Sequence, residues 1–312
     1  MRIKELFVLL VVSSSIACTP QHDIVIRGAT LFDGTGSAGV VGDLAIDGDR
    51  IAAVGDVRGR GELEIDAEGL YVAPGFTDMH SHSEMGRLTN GGHGPSMAYQ
   101  GFTTEVYGET TSMGPLGGKR ETDFPEELEG KWTTLGGALD FMEAQGISCN
   151  VLSYVGSGGV RANVMGYEDR VPTDEELEEM KELVRQAMRE GAVGISAGLS
   201  YVPNIYMETD ELVALVQASA ELGGLYANHA RTMNGTDPGA ITEAVEVAER
   251  AGSALHFFHL NSLSSTRADE FLALIDEARE RGVQISGDSY TYTWGITGLA
   301  SYIPAWAQEG GR

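Results

Sequence analysis

The stretch "PGFTDMHSHSE", Pro74–Glu84, decides how the chain is interpreted. An apolar run ends in Asp78, and His80 and His82 follow with one residue between them. A strand that ends in H-x-H is typical of a metal site, because imidazole nitrogens are good ligands for Zn²⁺. A strand that runs into an ordinary polar turn gives the same local pattern. The rest of the sequence has to decide between these interpretations.

From Pro74 onward, short apolar segments alternate with amphipathic ones. The predicted strands are Tyr71–Asp78, Phe102–Tyr107, Cys149–Val155, Val193–Ala197, Leu225–Asn228, Leu255–Phe258 and Gln284–Gly287. The helices best marked by their periodicity are Thr173–Arg189, Asp210–Leu222, Pro238–Ala251 and Arg267–Arg281. "TDEE" at Thr173–Glu176 is a capping box, and a glycine that suits a left-handed helix end precedes several strands, namely Gly191, Gly223, Gly252 and Gly282. This alternation predicts an α/β fold with parallel strands.

The organisation before Pro74 is different. Residues 22 to about 71 are predicted to form short antiparallel strands, with a hairpin turn at Asp47-Gly48 between "DIVIRGATLF" and "GDLAIDGDRIAAVG". The predicted domains are therefore residues 18–71 and residues 72–312. The second carries seven strands, whereas a (β/α)8 barrel needs eight. We expect the eighth beyond Arg312, so the chain is predicted to be a portion of a longer protein.

The N-terminus has the features of an export signal. Arg2 and Lys4 precede the apolar run Leu6–Val12, and Ser15 and Ala17 form the small-x-small pattern of a cleavage site. Residues 1–17 are thus predicted to be a signal peptide. Cys18 then resembles the lipidated cysteine of bacterial lipoproteins, although Ser15 stands where such signals usually carry leucine. We expect a periplasmic protein, or one anchored to a membrane through Cys18.

The composition excludes some classes of partner. The chain has 21 Lys+Arg against 46 Asp+Glu, a net charge of -25, which opposes binding to nucleic acid and to anionic lipid headgroups. Its two cysteines are Cys18 and Cys149. Acylation of Cys18 would leave Cys149 without a partner, so no disulfide framework is predicted. Cys149 is predicted to be a buried core thiol.

Polar side chains collect where the predicted strands end. They are His80, His82, Glu109, His229, Arg231, His259, Asn261, Asp288, Tyr290 and Tyr292. Chemistry in (β/α)8 barrels is located at these C-terminal strand ends, and imidazole with carboxylate can hold Zn²⁺ while leaving a position open. In "LHFFH", alternation places His259 on one face and His256 on the other, so His256 is predicted to pack beneath a helix. Because four histidines recur at strand ends, the opening stretch is predicted to be a metal site.

The sequence resembles the metal-dependent amidohydrolase superfamily and, within it, the D-aminoacylase (N-acyl-D-amino-acid deacylase) family. The segments that carry the resemblance are "APGFTDMHSH", "GFTTEVYGE", "GAVGISAGLSY", "GGLYANHAR", "HFFHLNS" and "DSYTYTWGITGLASYIPAW". The resemblance implies a distorted TIM barrel with a small β-sandwich built from both chain ends. It also implies that His80, His82, His229 and His259 are ligands to one or two Zn²⁺ ions.

Three positions depart from the family's pattern. Where the family often has a cysteine ligand, "GETTSMGP" offers Glu109 and Thr110, and a carboxylate is the better zinc ligand. A basic residue that usually helps to hold the substrate carboxylate is replaced by Asn261. The remaining substrate-binding candidates are Arg231, Tyr201, Tyr290 and Tyr292. The catalytic aspartate is expected after the eighth strand, beyond Arg312, and Asp288 is not assigned that role.

Another branch of the superfamily is disfavoured by the lysines. That branch bridges two metals with a carboxylated lysine, usually on the fourth strand. The lysines of this chain are Lys4, Lys119, Lys131 and Lys181, and none of them ends that strand.

These observations predict an exported, zinc-dependent hydrolase that acts on N-acyl amino acids, most consistently of the D configuration. Two alternatives stay open. Asn261 favours a hydrolase for cyclic or other small amides, and the expected position of the aspartate favours a metal-binding lipoprotein without catalysis if residue 312 is the true end. The side chain and acyl group of the substrate, the number of metals and the oligomeric state are not specified by the sequence.

Overall fold

The computed structural model describes residues 21–122, 124–231, 237–262 and 267–310. The predicted signal peptide and Cys18 lie outside the described residues. The chain divides into two compact units, with the boundary between Gly75 and Phe76. In the described ranges, no helix combines the length and the apolar character that crossing a bilayer requires.

The first unit is a five-stranded sheet. Its strands are β1 (Gln21–Leu31), β2 (Val40–Asp47), β3 (Arg50–Gly55), β4 (Arg60–Asp66) and β5 (Tyr71–Val72). The order is β3-β2-β1-β4, with β5 also pairing with β1. The predicted hairpin at Asp47-Gly48 is present, since β2 and β3 pair antiparallel from Asp47 and Arg50 outward, and Gly48 has a φ of 57°.

The antiparallel prediction is wrong for the last two strands. Both β4 and β5 run parallel to β1, because the chain crosses to the far edge of β1 after β3. Alternation of apolar residues marks a strand and its buried face, but it contains no information on direction. Only the connection, which is a tertiary feature, sets it.

The second unit alternates strands and helices. Its strands are β6 (Phe76–Asp78), β7 (Phe102–Tyr107), β8 (Asn150–Ser153), β9 (Val155–Gly156), β10 (Gly194–Gly198), β11 (Leu225–His229), β12 (Leu255–Phe257) and β13 (Ile285–Gly287). All of their pairings are parallel, in the orders β6-β7-β8 and β9-β10-β11-β12-β13. Tyr154 alone separates β8 from β9, so these two short strands occupy one position, and the described strands fill seven positions of a β/α barrel.

The helices lie between these strands. They are α1 (Glu84–Thr89), α2 (Pro95–Tyr99), α3 (Leu135–Gln145), α4 (Ser157–Met165), α5 (Asp174–Arg189), α6 (Thr209–Ala220), α7 (Gly239–Ala251) and α8 (Ala268–Glu280). The four predicted helices correspond to α5, α6, α7 and α8, with ends that differ by no more than two residues. The predicted glycines all have positive φ, at 107° for Gly191, 84° for Gly223, 67° for Gly252 and 99° for Gly282.

Two clusters of buried residues in the second unit lie on opposite faces of its strands. The larger cluster joins strand residues such as Ile195 and Phe257 to helix residues such as Leu215 and Ile241, so it lies between the strands and the helices. A smaller cluster of strand-end residues, Val106, Tyr154, Ala227 and Phe258, packs on the opposite face of the strands. That second face is the barrel interior, and it leads to the C-terminal ends of the strands.

The capping box that begins α5 gives a prediction of stability. Thr173 Oγ1 accepts the amide of Glu176 at 3.2 Å, and the Glu176 carboxylate accepts the amide of Thr173 at 2.9 Å. We expect Thr173→Ala to lower the free energy of unfolding by about 1 kcal/mol, because a helix-end amide loses its acceptor. Urea denaturation would measure the change. Thr242→Ala, at an exposed position within α7, is the matched control and should not destabilise the protein.

Candidate metal centre

Five candidate ligands are presented by four strand ends. His80 and His82 follow β6, Glu109 follows β7, His229 ends β11, and His259 follows β12. Two hydrogen bonds to backbone amides hold the turn after β6. The Asp78 carboxylate accepts the amide of His80 at 3.1 Å, and the Ser81 amide donates to the Val106 carbonyl at 3.0 Å. Parallel strands bring all of these side chains to one end of the barrel.

The Glu109 carboxylate lies at the centre of the cluster. One oxygen, Oε2, is 3.0 Å from His80 Nε2 and 3.1 Å from His82 Nε2. The other oxygen, Oε1, is 2.7 Å from His229 Nδ1. The Glu109 side chain is 7% exposed. A single buried carboxylate therefore contacts histidines from both sides of the barrel mouth.

The donor atoms fit a divalent metal ion. Among the described residues, two groups have ligand atoms within 4.8 Å of one another: His80, His82 and Glu109, and Glu109, His229 and His259. His80 Nε2 is buried and, although close to Glu109, makes no well-formed hydrogen bond. His259 Nε2 faces His229 Nδ1 at 2.9 Å, so two ring nitrogens meet where at most one proton can lie between them. Imidazole nitrogens with a shared carboxylate form a typical zinc donor set.

Electrostatics favour the forms that bind a cation. Burial alone would raise the pKa of the Glu109 carboxyl, but its contacts with His229, His80 and His82 hold that pKa well below its usual range. Burial, together with the neighbouring His229 and His80, lowers the pKa of His259 to about 4. The hydrogen bond to Glu109 raises the pKa of His82. At neutral pH the centre therefore contains a carboxylate and a neutral His259.

These opposite shifts predict that acid releases metal in two stages. A histidine must lose its proton to bind a metal, so a raised pKa makes His82 the first site of proton competition as the pH falls. His259, with a pKa of about 4, stays neutral to lower pH. We expect metal to leave the His80–His82 side before the His229–His259 side. Metal content after dialysis through a series of buffers of falling pH would show two steps, and one concerted step would contradict this order.

Thr110 does not join the cluster. Its backbone has a φ of 59°, its side chain is buried, and its Oγ1 has no hydrogen-bond partner in the described part of the chain. Its carbonyl accepts the amides of Gly158 and Gly159 at the start of α4, at 2.8 and 3.2 Å. Of the two residues offered by "GETTSMGP", the structure brings Glu109 to the histidines.

The prediction for His256 is wrong. Leu255 and Phe257 pack against the helices. His256 instead lies on the same face of the sheet as Phe258, which belongs to the interior cluster. The alternation fails after β12 ends, because His259 has a φ of 35° and turns its side chain back to the centre. The side chains of His256 and His259 therefore both lie at the C-terminal end of the barrel strands.

His256 supports Asp288, which in turn supports His259. His256 is 4% exposed; its Nδ1 lies 2.8 Å from Ser286 Oγ, and its Nε2 lies 3.0 Å from Asp288 Oδ2. The other Asp288 oxygen accepts the backbone amide of His259. His256 and Ser286 are paired positions of the adjacent strands β12 and β13, and this register is a tertiary feature that the sequence does not give.

The substrate-binding candidates have different surroundings. Arg231 donates to Glu243 at 2.9 Å and to the carbonyls of Ile205 and Met207 at 3.1 and 2.8 Å, so most of its donors already have partners. Tyr201 packs edge-on against His229, with ring centroids 4.9 Å apart, and its hydroxyl contacts Thr297. A substrate-binding role for Arg231 or Tyr201 stays a prediction.

The other three candidates lie in exposed or rim segments. Tyr290 and Tyr292 stack on each other with centroids 4.6 Å apart, and Tyr292 stacks on Trp294 at 4.9 Å. Asn261 is exposed in a short 3-10 turn after His259. The structure shows what these side chains contact, and their substrate-binding roles stay predictions.

One acidic residue near the centre was not singled out from the sequence. Glu84 begins α1 two residues after His82, and its Oε2 is buried without a hydrogen-bond partner in the described ranges. Burial raises the pKa of this carboxyl, and the nearby Glu109 and Glu105 act in the same direction. The spacing H-x-H-x-E was the available signal.

Comparison with known proteins gives a consistent result. Residues 63–257 match the amidohydrolase family. A D-aminoacylase of Alcaligenes xylosoxydans xylosoxydans is 35% identical over 292 residues, which cover 89% of this chain and 59% of that protein. The chain spans about three fifths of the length of this curated relative.

Two solved structures are also similar. A D-aminoacylase structure, described for the functional role of its binuclear metal center, superposes with a TM-score of 0.76 and 30% identity, covering 87% of this chain and 59% of that one. The N-acyl-D-glutamate deacylase from Bordetella bronchiseptica, complexed with zinc and a phosphonate inhibitor, superposes with a TM-score of 0.74 and 29% identity, covering 88% and 59%. The predicted distorted β/α barrel is thereby confirmed.

Proposed function

The chain belongs to the amidohydrolase family, and on that premise we propose that it is part of a zinc-dependent hydrolase that deacylates N-acyl-D-amino acids. The observation that carries this proposal is the position of Glu109: one of its carboxylate oxygens lies beside His80 and His82, and the other lies beside His229. The similar D-aminoacylase and the zinc-containing N-acyl-D-glutamate deacylase support the choice of reaction and metal.

The proposed centre has two halves that share Glu109. His80 and His82 would hold one ion together with Glu109, and His229 and His259 would hold a second with the same carboxylate group. A bound zinc ion supplies Lewis-acid chemistry, because it lowers the pKa of water toward about 7 and polarises a carbonyl group. Glu109 is kept anionic by its imidazole contacts and thus offsets the positive charge of the centre.

The protein groups around the centre orient the reacting amide. Tyr201 lies beside His229 and would form one wall of the substrate site, with Tyr290 and Tyr292 on the segment after β13. Asp288 accepts the amide of His259 and pairs with His256. It would therefore position His259 and would not take a proton from the attacking water. The general base is expected to be an aspartate that follows the eighth strand of such a barrel.

Assay of the full-length gene product would test this function. We expect release of free amino acid from a panel of N-acetyl-D-amino acids, and much slower release from the L enantiomers. Hydantoins and dihydropyrimidines in the same panel test the cyclic-amide alternative, which Asn261 favours. Preferential opening of a cyclic amide would replace the proposal. Bound metal without turnover of any substrate would support the metal-binding lipoprotein instead.

We also propose export and attachment through Cys18, on the strength of the N-terminal sequence. Fractionation of cells that produce the wild-type protein and the Cys18→Ala variant would test both steps. The wild type is expected in the membrane fraction and the variant in the periplasm. A cytoplasmic location of both proteins would contradict the proposal.

A further inference from the structure

A buried ion pair lies behind the loop that carries His80 and His82. Glu105 projects from β7 toward α1, and Arg87 of α1 meets it: Arg87 Nε and Nη2 lie 2.9 and 2.8 Å from Glu105 Oε2. The two residues are 0% and 2% exposed. A buried ion pair is weak evidence of a contribution to stability, because removing both charges from water costs several kcal/mol.

The second oxygen of the Glu105 carboxylate, Oε1, holds the loop formed by residues 80–83. Glu105 Oε1 accepts the hydroxyl of Ser83 at 3.0 Å, and Ser83 in turn contacts Ser81 Oγ at 3.1 Å. Ser81 lies between His80 and His82, so the chain of contacts runs from the buried charge directly into the H-x-H turn. Arg87 fixes the orientation of the carboxylate from the opposite side.

The pair itself is held from several directions. Tyr107 donates to Glu105 Oε2 at 2.6 Å, and the Cys149 thiol lies 3.2 Å from the same oxygen. Arg87 Nη1 donates to Ser148 Oγ at 2.8 Å. A Cβ at Gly94 would lie 1.4 Å from Arg87 Nη1, so glycine at this position leaves the space that the guanidinium occupies. Such a network restricts Glu105 to one orientation.

The other half of the centre has separate supports. His229 belongs to β11, and the His259 amide is held by Asp288. Neither support contacts the Glu105 network through any described bond. The two halves share Glu109, but the described bonds that hold their histidines are separate.

We propose that Glu105 and Arg87 are positioning residues that set the His80–Ser83 loop, and hence the metal affinity of the half formed by His80, His82 and Glu109. This inference rests on the proposed metal-dependent function. Glu109 is common to both halves, whereas His229 and His259 are held by bonds outside the Glu105 network, so their affinity for metal should not depend on the ion pair.

Cobalt titration of the metal-free, full-length protein tests the inference. With Glu105→Gln, which keeps the shape and removes the charge, we expect one of two binding phases to weaken by about 10–100-fold while the other is unchanged. The matched control is Glu211→Gln, which breaks the similarly buried Arg161–Glu211 pair between α4 and α6 and should leave both phases unchanged.

A second variant covers the case in which Glu105→Gln does not fold. Replacing both charges, as Arg87→Met with Glu105→Leu, removes the unpaired buried charge and should restore folding, but it cannot hold Ser83. One weakened phase in this variant supports the inference. Two phases of wild-type affinity in a folded variant, or an equal loss in Glu211→Gln, would overturn it. Absence of cobalt binding to the wild type would instead remove the proposed function on which it rests.

Discussion

In the proposed hydrolase, Glu109→Ala is expected to abolish metal binding on both sides of the centre and to lower amide hydrolysis by more than about 100-fold. Loss of a residue that merely supports a ligand typically costs about 10–100-fold, and Glu109 contacts three of the four histidines directly. The variant also leaves several imidazoles facing one another without a counter-charge. Elemental analysis and the deacylation assay, carried out on one preparation, would measure both effects.

Thr110→Ala is the neighbouring control. The Thr110 hydroxyl has no hydrogen-bond partner among the described residues, and the Thr110 carbonyl, which accepts the amides of Gly158 and Gly159, is retained by alanine. We expect wild-type metal content and a change in rate below the about 10-fold that loss of a ligand-supporting residue typically costs, since the Thr110 hydroxyl bonds to none of the ligands. A larger loss for Thr110→Ala than for Glu109→Ala would show that the ligand position is one residue further along.

The repeating part of the fold was predictable from local sequence. Helices α5, α7 and α8 have clear amphipathic periodicity, and Gly191, Gly223, Gly252 and Gly282 mark the turns that need positive φ. Glu109 and the four histidines were predictable because parallel strands bring their ends together. Two features could not be predicted, because they depend on contacts distant in sequence. They are the direction of β4 relative to β1 and the face of the sheet on which His256 lies.

Arg231 and Glu105 show why the rest required a structure. The charge of Arg231 and its position after a strand favour a substrate contact, yet its partners are Glu243 and two carbonyls from the loop before α6. Glu105 falls within an apolar strand, where a charged residue gives no indication of its partner. Arg87, 18 residues away in sequence, supplies that partner only after α1 packs on β7.

The second large effect concerns the histidines in pairs. We expect the double variant His80→Ala with His82→Ala, and likewise His229→Ala with His259→Ala, to lose half of the metal and nearly all activity. Each pair contributes to only one of the two groups, and Glu109 belongs to both. The nitrogens of one pair are therefore not available to replace those of the other.

The pattern across the variants is the decisive measurement. His22→Ala is the control: this histidine is paired with Asp47 in the N-terminal sheet, at 3.0 Å, so its loss should leave the metal content unchanged. If the centre is shared as proposed, each double variant retains half of the wild-type metal, whereas Glu109→Ala retains almost none. Full loss of metal in both double variants would indicate a single ion held by all four histidines. Undiminished metal in either would remove that pair from the ligand set, because an imidazole that binds zinc contributes strongly to its affinity.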